Sequence, residues 1–137
     1  MIVLDTDVLT LFQHGDPVVV RRVGARPPEE LAVTIISVEE ELTGWYTRLR
    51  RARKRDQLAA VYQRLTSAVR FLAPLPILTF SERAIARFEQ LRAPHRRLGA
   101  NDLRIAAIVL EERAALATRN VRDFQQIKGL PVEDWSK

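Results

Sequence analysis

The chain reads as an α/β protein, a three-layer α/β/α sandwich around a mostly parallel sheet of four to five strands. Two observations predict this. Short apolar or β-branched runs alternate with longer stretches of helical periodicity, the pattern of parallel strands joined by crossover helices and covered on both faces. Acidic and polar residues then fall directly after several of those runs, where ligands gather in such sheets.

Ile2–Leu4 is the first apolar run, ending at Asp5, and is expected to be the central strand. Asp7 is expected to cap a helix reaching about Gln13, and Asp16–Pro17 to start another near Val18–Val23. Leu31–Ile36 is rich in β-branched residues and reads as the second strand. Ser37 offers an N-cap for a helix carrying Val38, Leu42, Trp45 and Leu49 at helical spacing. A further helix from about Asp56 to Phe71 carries Leu58, Val61, Tyr62, Leu65 and Val69, which predicts a helical hairpin. Pro76–Thr79 is a third strand, followed by a helix capped at Ser81 and running to about Leu91. A longer helix spans about Asn101 to Arg113, Ala115–Thr118 is the fourth strand, and Leu130–Glu133 a shorter fifth.

A length of 137 residues suits one domain with a single sizeable core, here residues 1–137 throughout, and no repeat, linker or low-complexity tract divides it. Apolar residues make up 47%, yet no apolar run reaches the roughly 18–20 residues that span a bilayer. The opening MIVLD is too soon interrupted by Asp5 to serve as a signal peptide, which points to a cytoplasmic protein. The absence of cysteine excludes disulfides and thiolate-ligated zinc. Formal charge is +5, and six basic residues fall within eight positions: Arg48, Arg50, Arg51, Arg53, Lys54 and Arg55. Such a cluster, placed near the tip of the helical hairpin, either attracts nucleic-acid phosphates or is a solvated helix face.

The candidate chemistry is acidic. Asp5 stands at the end of the central strand, as a site carboxylate or a cap. Glu40 lies three residues after Ser37, so it either closes a capping box or faces a pocket, with Gly44 one turn on permitting another backbone to approach. Asp102 opens the helical stripe of Ile105, Ala106 and Val109, again as a cap or as a pocket group. Thr118, Asn120 and Asp123 follow the fourth strand, either as an ordinary polar loop or beside Asp5. Converging carboxylates raise one another's pKa unless a cation counters them, and oxygen ligands suit Mg²⁺ or Mn²⁺. Two such ions could activate a water and stabilise the leaving oxygen of a phosphodiester. His14 and His95 have no neighbour at metal-ligand spacing, and GxxxxGK[ST], GxGxxG and GxSxG are all absent.

The segments IVLDTDVL, TIISVEEELTGW, NDLRIAA and LATRNVRDFQQIKGLPVEDW, in that order, resemble PIN-domain proteins of the VapC toxin type. The resemblance covers nearly the whole chain. It implies a compact, commonly dimeric α/β/α fold, Mg²⁺- or Mn²⁺-dependent cleavage of RNA, and neutralisation by a cognate antitoxin. By this resemblance the family's first acid is Asp5, its second Glu40 by distance to Gly44 (with Glu41 where Leu is usual), its third Asp102. A hydroxyl position matches Thr118. Many members carry an acid two residues later, where this chain has Asn120, and Asp123 is the nearest carboxylate to stand in. An RNA-processing nuclease, a non-catalytic nucleic-acid-binding regulator and a phosphoacceptor receiver domain are the competing classes. The positions of Glu40 and Asp102 at helix starts argue against the last.

Overall fold

The computed structural model describes residues 1–137. Five strands form one fully parallel sheet in the order β3-β2-β1-β4-β5. They are β1 (Ile2–Leu4), β2 (Leu31–Thr34), β3 (Ile77–Leu78), β4 (Ala115–Thr118) and β5 (Val132–Asp134). β1 is central, as its uninterrupted apolar run predicts, with Val3 opposite Ala32 on one side and Leu116 on the other. Seven helices connect the strands: α1 (Thr6–Gln13), α2 (Pro17–Gly24), α3 (Ile35–Arg51), α4 (Arg55–Leu72), α5 (Glu82–Arg92), α6 (Ala100–Glu111) and α7 (Val121–Phe124).

Alternation along β1 divides the core in two. Val3 joins Phe88, Leu103, Ile105, Ile108 and Leu116 in one buried cluster, which α5 and α6 cover. Ile2 and Leu4 join Val8, Leu9, Val19, Leu72 and Trp135 on the opposite face, beneath α1, α2 and the end of α4. That is the three-layer arrangement expected, with both faces of the central strand removed from water.

Several boundaries differ from the sequence reading, β3 (Ile77–Leu78) and the end of α6 by a residue or two, and three others more informatively. Asp5, not Asp7, is the N-cap of α1, its side chain accepting from the Thr6 N–H. The second strand stops at Thr34 rather than Ile36, because the Thr34 side chain accepts from the Ser37 N–H and starts α3 at Ile35. Ser37 is therefore inside the helix, and the β-branched Ile35 and Ile36 are helical because a good cap precedes them. The last strand is Val132–Asp134 rather than Leu130–Glu133, with Leu130 packed in the core ahead of it. Gly15, at φ +78°, closes α1 in the left-handed turn that glycine favours and delivers Asp16 to cap α2.

The basic cluster lies as expected. α3 ends at Arg51 and α4 begins at Arg55, so Arg50, Arg51, Arg53, Lys54 and Arg55 ring the hairpin tip, all exposed. No helix is long and apolar enough to cross a membrane.

Candidate active site

The site is built where the chain leaves the C-terminal ends of β1 and β4. Asp5 continues the β1 ladder, its N–H donating to the Ala117 carbonyl at 2.9 Å. This fixes its backbone while its side chain, 5% exposed, turns into the crevice. Thr118 ends the neighbouring strand, fully buried, and its hydroxyl donates to Asp5 Oδ2 at 2.8 Å. The same hydroxyl accepts the Asn120 N–H at 2.9 Å, so its one proton is committed to Asp5.

A second anchored pair faces it. The Thr6 hydroxyl donates to Glu40 Oε1 at 2.8 Å and shares a further 2.8 Å hydrogen bond with Ser37 Oγ. Because Thr6 gives its proton to Glu40, Ser37 is the donor of the second bond. Glu40 is thus held by the first residue of α1 and not by a helix cap; the capping-box alternative falls with the move of the N-cap to Thr34. The close-approach role suggested for Gly44 also falls, since a Cβ there would meet nothing within 4 Å.

Asp5, Asp7, Glu40 and Asp102 line one cavity of about 430 Å³, together with Thr6, Arg119 and Asn120. Asp102 enters from the first turn of α6, where the helix N-terminus favours negative charge. Asp123 stands one helical turn beyond Asn120, whose side-chain N–H donates to Asp123 Oδ2 at 2.9 Å. Electrostatics register the convergence. Burial pushes the Asp5 carboxyl up to about 7; the Asp7 charge and, more weakly, Asp102 add to this against the lowering bonds from Thr118 and Thr6. Burial likewise raises Asp102, followed by the charges of Glu40, Asp123 and Asp7.

The sequence candidates Asp5, Glu40, Asp102, Thr118, Asn120 and Asp123 therefore meet at one end of the sheet, while the arginines of the hairpin tip do not line this cavity. Three residues were missed. Thr6 is known as a partner of Glu40 only from a contact 34 positions apart. Asp7 looked like a cap, yet its Oδ1 is buried without any hydrogen-bond donor. Its Oδ2 receives Arg119 Nε at 3.4 Å, and Arg119 brings the one guanidinium into the cavity.

These donors fit a hard divalent cation. All the charged acceptors are carboxylate oxygens, one of them is buried with no donor, and two carboxyls are held above their ordinary range by burial and by neighbouring carboxylates. No three acidic or histidine side chains close to the spacing of a full direct ligand shell. Mg²⁺ needs none, because it usually keeps several waters and takes only one or two carboxylates.

Fold and site together define a parallel α/β protein with an acidic crevice at the switch point of its sheet. The PIN domain profile matches residues 2–130, and the chain belongs to that family. It is 29% identical over 136 residues to "Ribonuclease VapC1" of Haemophilus influenzae strain R2866, covering 98% of this chain and 97% of that protein. It is 35% identical over 71 residues to "Ribonuclease VapC2" of Rickettsia felis, a match spanning 49% of this chain and 53% of that one. Among solved structures, a toxin–antitoxin complex from Klebsiella pneumoniae contains a chain that superposes with a TM-score of 0.71 at 26% identity, over 100% of this chain and 99% of that one.

Proposed function

We propose that the chain is a Mg²⁺- or Mn²⁺-dependent endoribonuclease, acting as one nuclease domain in the cytoplasm and forming the toxin of a toxin–antitoxin pair. The observation that carries the chemistry is the cavity shared by Asp5, Asp7, Glu40 and Asp102, in which a buried carboxylate oxygen has no donor. The names of the relatives, ribonucleases and a toxin–antitoxin complex, support the biological role. The toxin–antitoxin complex supports an antitoxin protein as partner, and the chain would also pair with a second copy of itself.

Asp5 and Asp102 would hold the cation, with Glu40, Asp7 and Asp123 completing the acidic wall. When bound, the ion supplies the positive charge that lowers the pKa of a water and steadies the phosphodiester's developing negative charge. The chain's own residues prepare for this. Thr118 donates to Asp5 Oδ2 and Thr6 to Glu40 Oε1, so both side chains are orientated before any ligand arrives. Asp5, pushed to about 7, gives up its proton once its charge is countered, so binding is coupled to proton release. Asn120 turns its amide towards Asp123 and keeps that carboxylate beside Asp102. Arg119, half-exposed at the rim and paired only loosely with Asp7, is available to a phosphate oxygen.

Purified protein should cut a single-stranded RNA internally, with activity lost in Asp5→Asn and Asp102→Asn. Expression alone should arrest growth, and co-expression of its antitoxin should restore it. Normal growth with folded, active enzyme would remove the toxin reading; absence of RNA cleavage by the folded protein would remove the nuclease reading.

A further inference from the structure

We propose that the groove between α1 and the α3–α4 hairpin is a binding subsite for single-stranded RNA. Trp45 stacks an unpaired base there, and Arg48 and Arg64 take backbone phosphates. The inference rests on the ribonuclease reading and extends it from where the strand is cut to how it is held.

A cavity of about 690 Å³ opens beside the acidic one and shares Thr6, Thr10 and Glu40 with it, so the two form a continuous path. The size lies within the roughly 300–1,000 Å³ of small-ligand pockets. Glu41, Gly44, Trp45 and Arg48 recur at helical spacing along one face of α3 and line the groove, with Arg64 contributed by α4. His14, at the end of α1, lies on the same wall.

Two guanidiniums free of carboxylate partners and an aromatic ring favour nucleic acid, although Glu40 and Glu41 also line the groove. Neither Arg48 nor Arg64 enters any of the chain's three ion pairs. The Arg48 guanidinium instead lies 4.7 Å from the centre of the Trp45 ring, which holds the indole as a platform. Bases are read from such platforms only when unpaired, because a duplex buries their faces within its own stack. A partner helix is a poorer fit. It would need repeated apolar anchors, and Trp45 is the one large apolar side chain lining the groove. Gly44 leaves the floor open: a Cβ there would meet nothing within 4 Å beyond its own stretch of helix, and Gly44 itself lines the groove. Beyond Arg48 the same helix leads to the exposed arginines of the hairpin tip, which extend the path for phosphates.

The test is equilibrium binding of a labelled, unstructured oligoribonucleotide in chelator, so that nothing is cut, compared with an RNA duplex across a salt series. Trp45→Ala should weaken single-strand binding roughly 5- to 100-fold, following the usual contribution of one stacked base, and Trp45→Phe should recover most of it. Arg64→Ala should reduce the slope of log affinity against log salt by about 0.7, the value for one phosphate contact on a single strand. Gly44→Leu should weaken binding without lowering the melting temperature. Duplex binding should change little in all four. Undiminished single-strand binding by both Trp45→Ala and Gly44→Leu would overturn the subsite, as would loss confined to binding of a protein partner. If those variants are silent while the parent binds and cuts RNA, the subsite alone fails; a parent that neither binds nor cuts RNA removes the ribonuclease reading with it.

Discussion

The Thr118 hydroxyl donates to Asp5 Oδ2 at 2.8 Å while receiving the Asn120 N–H at 2.9 Å. One buried side chain thereby joins the two central strands and the N-cap of α7, the helix that carries Asp123. The bond favours the ionised form of Asp5 against the pressure of burial. Thr118→Val keeps the shape and removes the bond, so Asp5 should titrate above about 7 and the acid limb of the pH–activity profile should move to higher pH. We expect a loss of about 10- to 100-fold near neutrality, the scale of a lost ligand support. Thr118→Ser should stay close to the parent. An unshifted profile in Thr118→Val would show that the bond does not set the charge of Asp5.

Asp5 also makes stability depend on pH. Its folded pKa, about 7, lies above its ordinary 3.8, so between these values the folded chain binds more protons than the unfolded one. The resulting stabilisation is fully present below the unfolded pKa and is lost as pH rises through the folded one. Metal-free protein should therefore melt at a higher temperature near pH 5 than near pH 8, and Asp5→Asn should flatten that difference. Thermal melts in chelator at several pH values read this directly; an equal slope in Asp5→Asn would assign the dependence to other groups.

Glu40 separates from its neighbours by its bond to Thr6. Glu40→Gln should abolish most cleavage and change stability by less than about 1 kcal/mol, since it is not a cap. Glu39→Gln should be silent at an exposed position, and Glu41→Gln mild. Comparable losses of turnover from Glu40 and Glu41 would place the wrong carboxylate in the site.

Asn120 gives a sharper sign. Its amide donates to Asp123, so Asn120→Asp would set two carboxylates at hydrogen-bond distance and destabilise the metal-free protein. Added Mn²⁺ should close that difference and bind more tightly than in the parent. Calorimetric titration and melts with and without Mn²⁺ decide it. A variant as stable as the parent without metal would mean Asp123 is not held beside this position.

The hairpin tip is a separate matter. Arg50, Arg51 and Arg53 are exposed and lie outside the acidic cavity. Replacing all three by alanine should weaken RNA binding and flatten its salt dependence, with less effect on cutting of bound RNA. Salt-independent loss, or none, would return the cluster to a solvated face.

What the sequence discloses here follows from the range of each interaction. β1 is central and Asp5 stands at its mouth because an uninterrupted apolar run ending in an acid has few other places in a parallel sheet. Asp102 stands out as an acid at the head of a buried stripe. The start of α3 is hidden in the sequence because Leu31–Ile36 is rich in β-branched residues, and only the Thr34 side chain on the Ser37 N–H shows where the helix begins. With that boundary went the local explanation of Glu40. The Thr6–Glu40 bond and the unpartnered Asp7 oxygen depend on chain segments brought together by the sheet, and local spacing carries no trace of them.

The central claim is that the acids around Asp5 cut RNA only with a divalent cation in place. The direct measurement is cleavage of a labelled single-stranded RNA by the purified chain in chelator, then with Mg²⁺ or Mn²⁺ restored, beside Asp5→Asn and Asp102→Asn. The account predicts no cutting in chelator, recovery on adding either ion, and little recovery in the two variants. Full cleavage in chelator, or metal-restored activity undiminished in Asp5→Asn, would contradict it.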